Sequence, residues 1–130
     1  MNLDNYCLDT HPLVWYFLKQ KTLSLVAEQL IRKIFRDEAV GVISTMVLLE
    51  AYYVSLKNKN FNFPKFMDRL SSSNIKIISF DKQVLAKSLL LPPKLDIHDR
   101  IIVATSIVAN SRLITKDEVL RSLFPLETIW

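Results

Sequence analysis

The sequence predicts an α/β protein of three layers, with helices on both faces of a central, mainly parallel sheet. Short apolar runs of strand length, NYCLD, VGVI, IKIISF and RLIT, alternate with longer stretches of helical length. Parallel neighbours need a crossover of about a dozen residues or more, usually a helix. At 130 residues, 50% of them hydrophobic, the chain has the size of one domain with apolar surface enough for a core, so residues 1–130 read as a single domain. Gly41 is the sole glycine, which excludes glycine-rich phosphate loops and dinucleotide fingerprints.

Asn5 to Asp9 reads as a strand ending in an acid. Thr10 follows as a helix cap, and Pro12 lies in the first turn. From Ser24 to about Asp37, Val26, Leu30 and Ile34 recur at helical spacing while Arg32, Lys33 and Arg36 fall on other faces. Val40 to Ile43 is a buried strand, and Ser44 or Thr45 caps the helix STMVLLEAYYVSLKNKN. After FNFP a shorter helix, KFMDRLSSS, leads to IKIISF and then to DKQVLAKSLLL, a helix stopped by Pro92 and Pro93. LDIHDRIIVATSIVA supplies the most apolar helix, RLIT the next strand, and LETIW a short closing segment.

Cys7 is the one cysteine. It reads as a small buried hydrophobe, and with no partner for a disulfide it gives no sign of an oxidising compartment. No apolar run approaches the roughly 18 residues of a membrane span, and MNLDNYCLD is not shaped like a signal peptide, so a cytoplasmic protein is expected. The net charge of +4 favours an anionic partner weakly. With four acids committed to a cation, seventeen basic side chains would face nine acids, a surface of about +8 suited to a polyanion such as RNA.

The placement of the acids is more informative than their number. Ligands of open parallel sheets bind beyond the carboxyl ends of the strands. Asp9 stands at such an end, and so does Asp117, two residues beyond RLIT, with Glu118 beside it. Asp96 and Asp99 open the apolar helix on one face, near the positive end of its dipole. Glu50 is the only charge in MVLLEAYYV and is expected to be substantially buried. Taken singly, Asp96 is a natural N-cap, Asp117 a turn former and Glu50 a salt-bridge partner. If Asp9, Glu50, Asp99 and Asp117 converge at one rim, each pair about 5 Å apart repels by roughly 3 kcal/mol at an effective dielectric near 20, and the cluster needs protons or a cation. Oxygen ligands without sulfur, and no histidine pair at i, i+4, favour Mg²⁺ or Mn²⁺ over zinc. His98 and His11 read as surface or supporting residues, and an iron site built from them is the weaker alternative.

LDTHPLVW, ISTMVLLEAY, DIHDRIIVATS, LITKDE and the terminal TIW resemble, in order and across nearly the whole chain, the PIN domain as found in VapC-type toxins. That resemblance implies that Asp9, Glu50, Asp99 and Asp117 form a metal-binding catalytic quartet. It makes Asp96 an additional acid and Thr115 the hydroxyl that orients the site. It implies a Mg²⁺- or Mn²⁺-dependent endoribonuclease, commonly a homodimer, neutralised by a small antitoxin encoded beside it. Ile97 departs from the proline frequent at its place. Metal ions held by the quartet would acidify a water for in-line attack on a phosphodiester, with Glu50 or Asp117 accepting its proton. Arg100 and Lys116 are candidates for phosphate contact. The rival from another class is a receiver-like signalling domain with Asp81 as phosphoacceptor, which leaves Glu50 and Asp99 without a task. A second is a PIN fold that binds RNA without cleaving it.

Overall fold

The computed structural model describes residues 3–123 and 126–130; Met1 and Asn2, which begin the run MNLDNYCLD, lie outside them. The described residues form β1 (Asn5–Leu8), α1 (Thr10–Leu18), α2 (Leu25–Phe35), β2 (Val40–Ser44), α3 (Thr45–Lys57), α4 (Phe63–Ser71), β3 (Ile75–Ile78), α5 (Lys82–Ser88), α6 (Ile97–Val108), β4 (Arg112–Ile114), α7 (Glu118–Arg121) and β5 (Thr128–Ile129). The strands lie in the order β3-β2-β1-β4-β5, and every neighbouring pair is parallel. The first two crossovers step one way across the sheet, and the next returns past β1 to start β4 on its other side. With right-handed crossovers, α1 to α4 cover one face and α5 to α7 the other. The result is the expected three-layer α/β/α sandwich.

The order reverses between β1 and β4, and a crevice opens at the carboxyl ends of strands where the windings part. Burial explains why the strands hold their register. Cys7, Leu8, Val42, Ile43, Leu113 and Ile114 are inaccessible or nearly so, and central parallel strands covered on both faces must be apolar on both. Cys7 packs as an ordinary hydrophobe, its thiol pushed up to about 12 by burial. In α6 the six residues Ile101 to Ser106 are all buried. Its two hydroxyls are satisfied locally, Thr105 by the Ile101 carbonyl at 2.7 Å and Ser106 by the Ser111 carbonyl at 3.1 Å. α6 packs on β1, β2 and β4 as well as α5, so its first turn is delivered to the crevice.

Local chemistry sets the boundaries, and several differ from expectation. Asp9, not Thr10, caps α1, its carboxylate accepting from the Thr10 amide at 2.8 Å. Ser24 caps α2 as foreseen in position, but the buried face is Ala27, Ile31 and Ile34, one residue on from the Val26–Leu30 stripe. Ser44 is the cap of α3. α5 ends at Ser88, before the prolines. β5 and the short α7 are additional elements in segments read only as a closing run and an acidic turn. Lys19, Asp37 and Asn110 take the left-handed conformation at helix ends, work that glycine does at less cost.

Candidate metal centre at the sheet crevice

A pocket of about 520 Å³ opens at the β1/β4 crevice, and Asp9, Glu50, Asp96, Asp99, Asp117 and Glu118 all reach its wall. Four chain segments meet there. Asp9 follows β1, Glu50 lies on α3, Asp96 and Asp99 sit at the start of α6, and Asp117 follows β4. Residues dispersed along 109 positions are thereby brought to one cavity, together with Lys116, His11 and His98.

The carboxylates are held by neighbours of identifiable origin. Asp9 accepts from the Thr10 amide through Oδ1 and from the Thr115 hydroxyl through Oδ2 at 2.7 Å. Thr115, fully buried, accepts in turn from the Asp117 amide at 3.1 Å. The Glu50 carboxylate takes the Thr10 hydroxyl on Oε1 at 2.7 Å and faces His98 Nδ1 through Oε2 at 3.1 Å. Asp96 and Asp117 cap α6 and α7 with one oxygen each. Glu50, expected to be substantially buried, is partly buried, with 27% of its side chain exposed. On α3 only Val47 and Ala51 are buried, while Leu49, Tyr52, Tyr53 and Leu56 face outward. An all-apolar helix surface is therefore an unsafe sign of burial when the helix lies on the outside of a layer.

Electrostatics mark the pocket as short of positive charge. Burial raises the Asp99 carboxyl to about 6, and the charges of Asp96, Asp9, Asp117 and Glu50 push it the same way. Asp9 is also raised, by burial first, against the opposing hydrogen bonds from Thr115 and Thr10. A cation would relieve both. Among the described residues, however, no three Asp, Glu, His or Cys side chains stand as a closed ligand set. The four acids share one pocket at a single rim of the sheet. In donor chemistry the pocket fits a hard divalent cation, since its carboxylates are oxygen donors and each oxygen held by one hydrogen bond retains a second lone pair.

Two expected residues stand elsewhere. The Arg100 guanidinium, foreseen beside phosphate, donates to the carbonyls of Ser88, Leu91 and Pro92 at 2.7, 3.1 and 2.7 Å, and so ties the α5–α6 connection to α6. Asp81 caps α5 through the Val84 amide at 2.9 Å and does not line the pocket. Lys116 does line it, its Nζ 5.9 Å from the Trp15 ring centre. Thr10 and Trp15 are the lining residues whose part the sequence left unread. The i, i+4 spacing of His11 and Trp15 was the available signal, since it stacks two rings on one helix face.

The PIN domain family profile matches residues 6–123. No curated protein matches the sequence. Among solved structures the fold is similar to VapBC2 from Rickettsia felis bound to a DNA fragment from its promoter, with a TM-score of 0.72 and 19% identity over 96% of this chain and 97% of that one. A toxin-antitoxin complex from Klebsiella pneumoniae gives a TM-score of 0.74 at 21% identity, over 96% of each chain. DNA-bound VapBC from Salmonella typhimurium gives 0.71 at 14% identity, over 98% of each.

Proposed function

We propose, from the premise that this chain belongs to the PIN domain family, that it is a Mg²⁺- or Mn²⁺-dependent endoribonuclease and the toxin of a VapBC-type pair, acting in the cytoplasm. The observation that carries this reading is the gathering of Asp9, Glu50, Asp99 and Asp117 from four segments into one pocket at the point where the sheet's winding reverses. The likeness of the fold to toxin-antitoxin complexes supports the toxin role and a small antitoxin as partner. A homodimer is the assembly that the family resemblance implies.

In this reading the four carboxylates hold the metal, with Asp96 in reserve at the pocket's edge. The bound cation supplies an acidified water and offsets charge on the phosphoryl and leaving oxygens. The chain's own groups do the positioning. Thr115 fixes Asp9 and the backbone of Asp117 relative to each other, while Thr10 and His98 take one oxygen each of Glu50. Groups held in place by such bonds reorganise less when charge develops. Lys116 lines the same pocket, and in this reading it contacts a phosphate.

The test is cleavage of single-stranded RNA by the purified protein with Mg²⁺ or Mn²⁺ and with EDTA. Cutting that stops in EDTA and returns with metal is expected. Absence of cutting in either metal, or cutting indifferent to chelation, overturns the reading.

A further inference from the structure

One part of the pocket's wall is aromatic and was given no part in the reading above. His11 and Trp15, a helical turn apart on α1, are stacked with ring centres 5.6 Å apart and planes 26° apart. Trp130 meets Trp15 edge-on at 6.1 Å. Trp15 is half-buried and His11 exposed, so the stack is anchored through its inner ring and open at its outer one. A stack serving only the core would close over both.

Trp15 also borders a second cavity, a cleft of about 770 Å³ running from α1 to the start of α2. Its wall carries Lys19, Lys21, Arg32 and Arg69 against a single acid, Glu28, which is itself paired with Arg32. Trp15 thus stands on the border between a negative pocket, which it shares with His11 and which in the reading above accepts a scissile phosphate, and a positive cleft fit for the phosphates next to it. Single strands are held by this combination of basic groove and aromatic face, because every base offers a π face whatever its sequence.

We infer that His11, backed by Trp15, is a stacking platform for an unpaired nucleobase adjoining the scissile phosphate, from which the strand continues into the Lys19, Lys21, Arg32 and Arg69 cleft. The inference rests on the nuclease reading above and adds to it the side chains that receive a base, His11 with Trp15 behind it.

The experiment uses the Trp130→Phe protein, in which Trp15 is the one remaining tryptophan. It is titrated in Ca²⁺ with a decamer of adenosine RNA and with an abasic decamer carrying the same phosphates. Trp15 emission is expected to be quenched by the first and not the second. His11→Ala should weaken binding of the adenosine decamer about tenfold, within the range that one lost base stack produces. It should leave the abasic decamer's affinity unchanged, and His11→Phe should restore the loss. Equal affinities of wild type and His11→Ala for the adenosine decamer, or equal losses for both decamers, overturn the platform. If neither decamer binds and RNA is not cut in Mg²⁺, the nuclease reading fails with it. If RNA is cut with a KM that His11→Ala leaves unchanged, the platform alone fails.

Discussion

The Thr115 hydroxyl donates to Asp9 at 2.7 Å across the point where the sheet's winding reverses, joining the end of β4 to the end of β1. The same oxygen accepts from the Asp117 amide, so one buried hydroxyl sets the spacing of two acids 108 positions apart. Thr115→Val keeps the shape and removes both bonds. It should cost about 1 to 3 kcal/mol of stability, because partners are left unsatisfied in a buried site, and lower RNA cleavage by at least tenfold. Thr115→Ser should retain most of both. Urea denaturation and a cleavage assay decide the matter, and a fully active Val variant would show that the hydroxyl orients nothing.

Acid should help the metal-free protein through Asp99. Its carboxyl titrates near 6 in the folded state, against about 4 in the unfolded chain. Between those values the native state binds more protons, so this group's contribution to stability falls as pH rises and is fully unfavourable above about 6. Asp9, also raised, acts in the same direction. Denaturation midpoints of wild type and Asp99→Asn in EDTA should separate progressively from pH 4 to pH 6, with the variant gaining the advantage. A difference that is flat across that window would contradict the raised titration.

Gly41 explains itself by what surrounds it. A Cβ there would lie 2.9 Å from Ile34 Cγ2 and 3.1 Å from Ile75 Cγ1, and Ile34 is wholly buried on a β-branched stem that cannot swing away. Gly41→Ala should therefore destabilise by about 1 to 3 kcal/mol through overpacking of α2 against β2. Thermal melting would reveal it, and an unchanged midpoint would mean that the helix can shift outward at little cost.

Arg100 should behave as a structural clamp. Lysine can keep the charge but not the fork that reaches three carbonyls. Arg100→Lys is expected to lose about 1 to 3 kcal/mol while the salt dependence of RNA binding stays as in wild type. A shallower salt dependence would return Arg100 to phosphate contact.

The layers, the parallel pairing and the positions of the acids were legible because they follow from periodicity and from strand ends, which are local signals. Arg100 and Glu50 were not. The carbonyls that Arg100 serves come free only where α5 stops at Ser88, four residues before the prolines that seemed to end it. The burial of Glu50 depended on which face of α3 meets the sheet, and a helix apolar on every side does not reveal that. Trp15 went unread because its part lies in its position between two cavities, which only the folded chain creates.

Asp99 joins stability to function most directly. It is half-buried at the mouth of the most apolar helix, and four other acids repel its charge. Asp99→Asn removes that charge and keeps the shape. In EDTA the variant should be more stable than wild type by on the order of 1 kcal/mol, a figure reduced for its partial exposure. With saturating Mg²⁺ the order should narrow or reverse, since wild type gains binding free energy that the variant has partly lost. Cleavage should fall by orders of magnitude under any metal. Asp96, which caps α6 through the Asp99 amide, supplies the contrast: Asp96→Asn retains a capping oxygen and should leave stability within about 0.5 kcal/mol. Melting curves of the three proteins with and without Mg²⁺, set beside RNA cleavage, separate the roles. Were Asp99→Asn less stable than wild type in EDTA and still able to cut RNA, its carboxylate would serve the helix and not the metal.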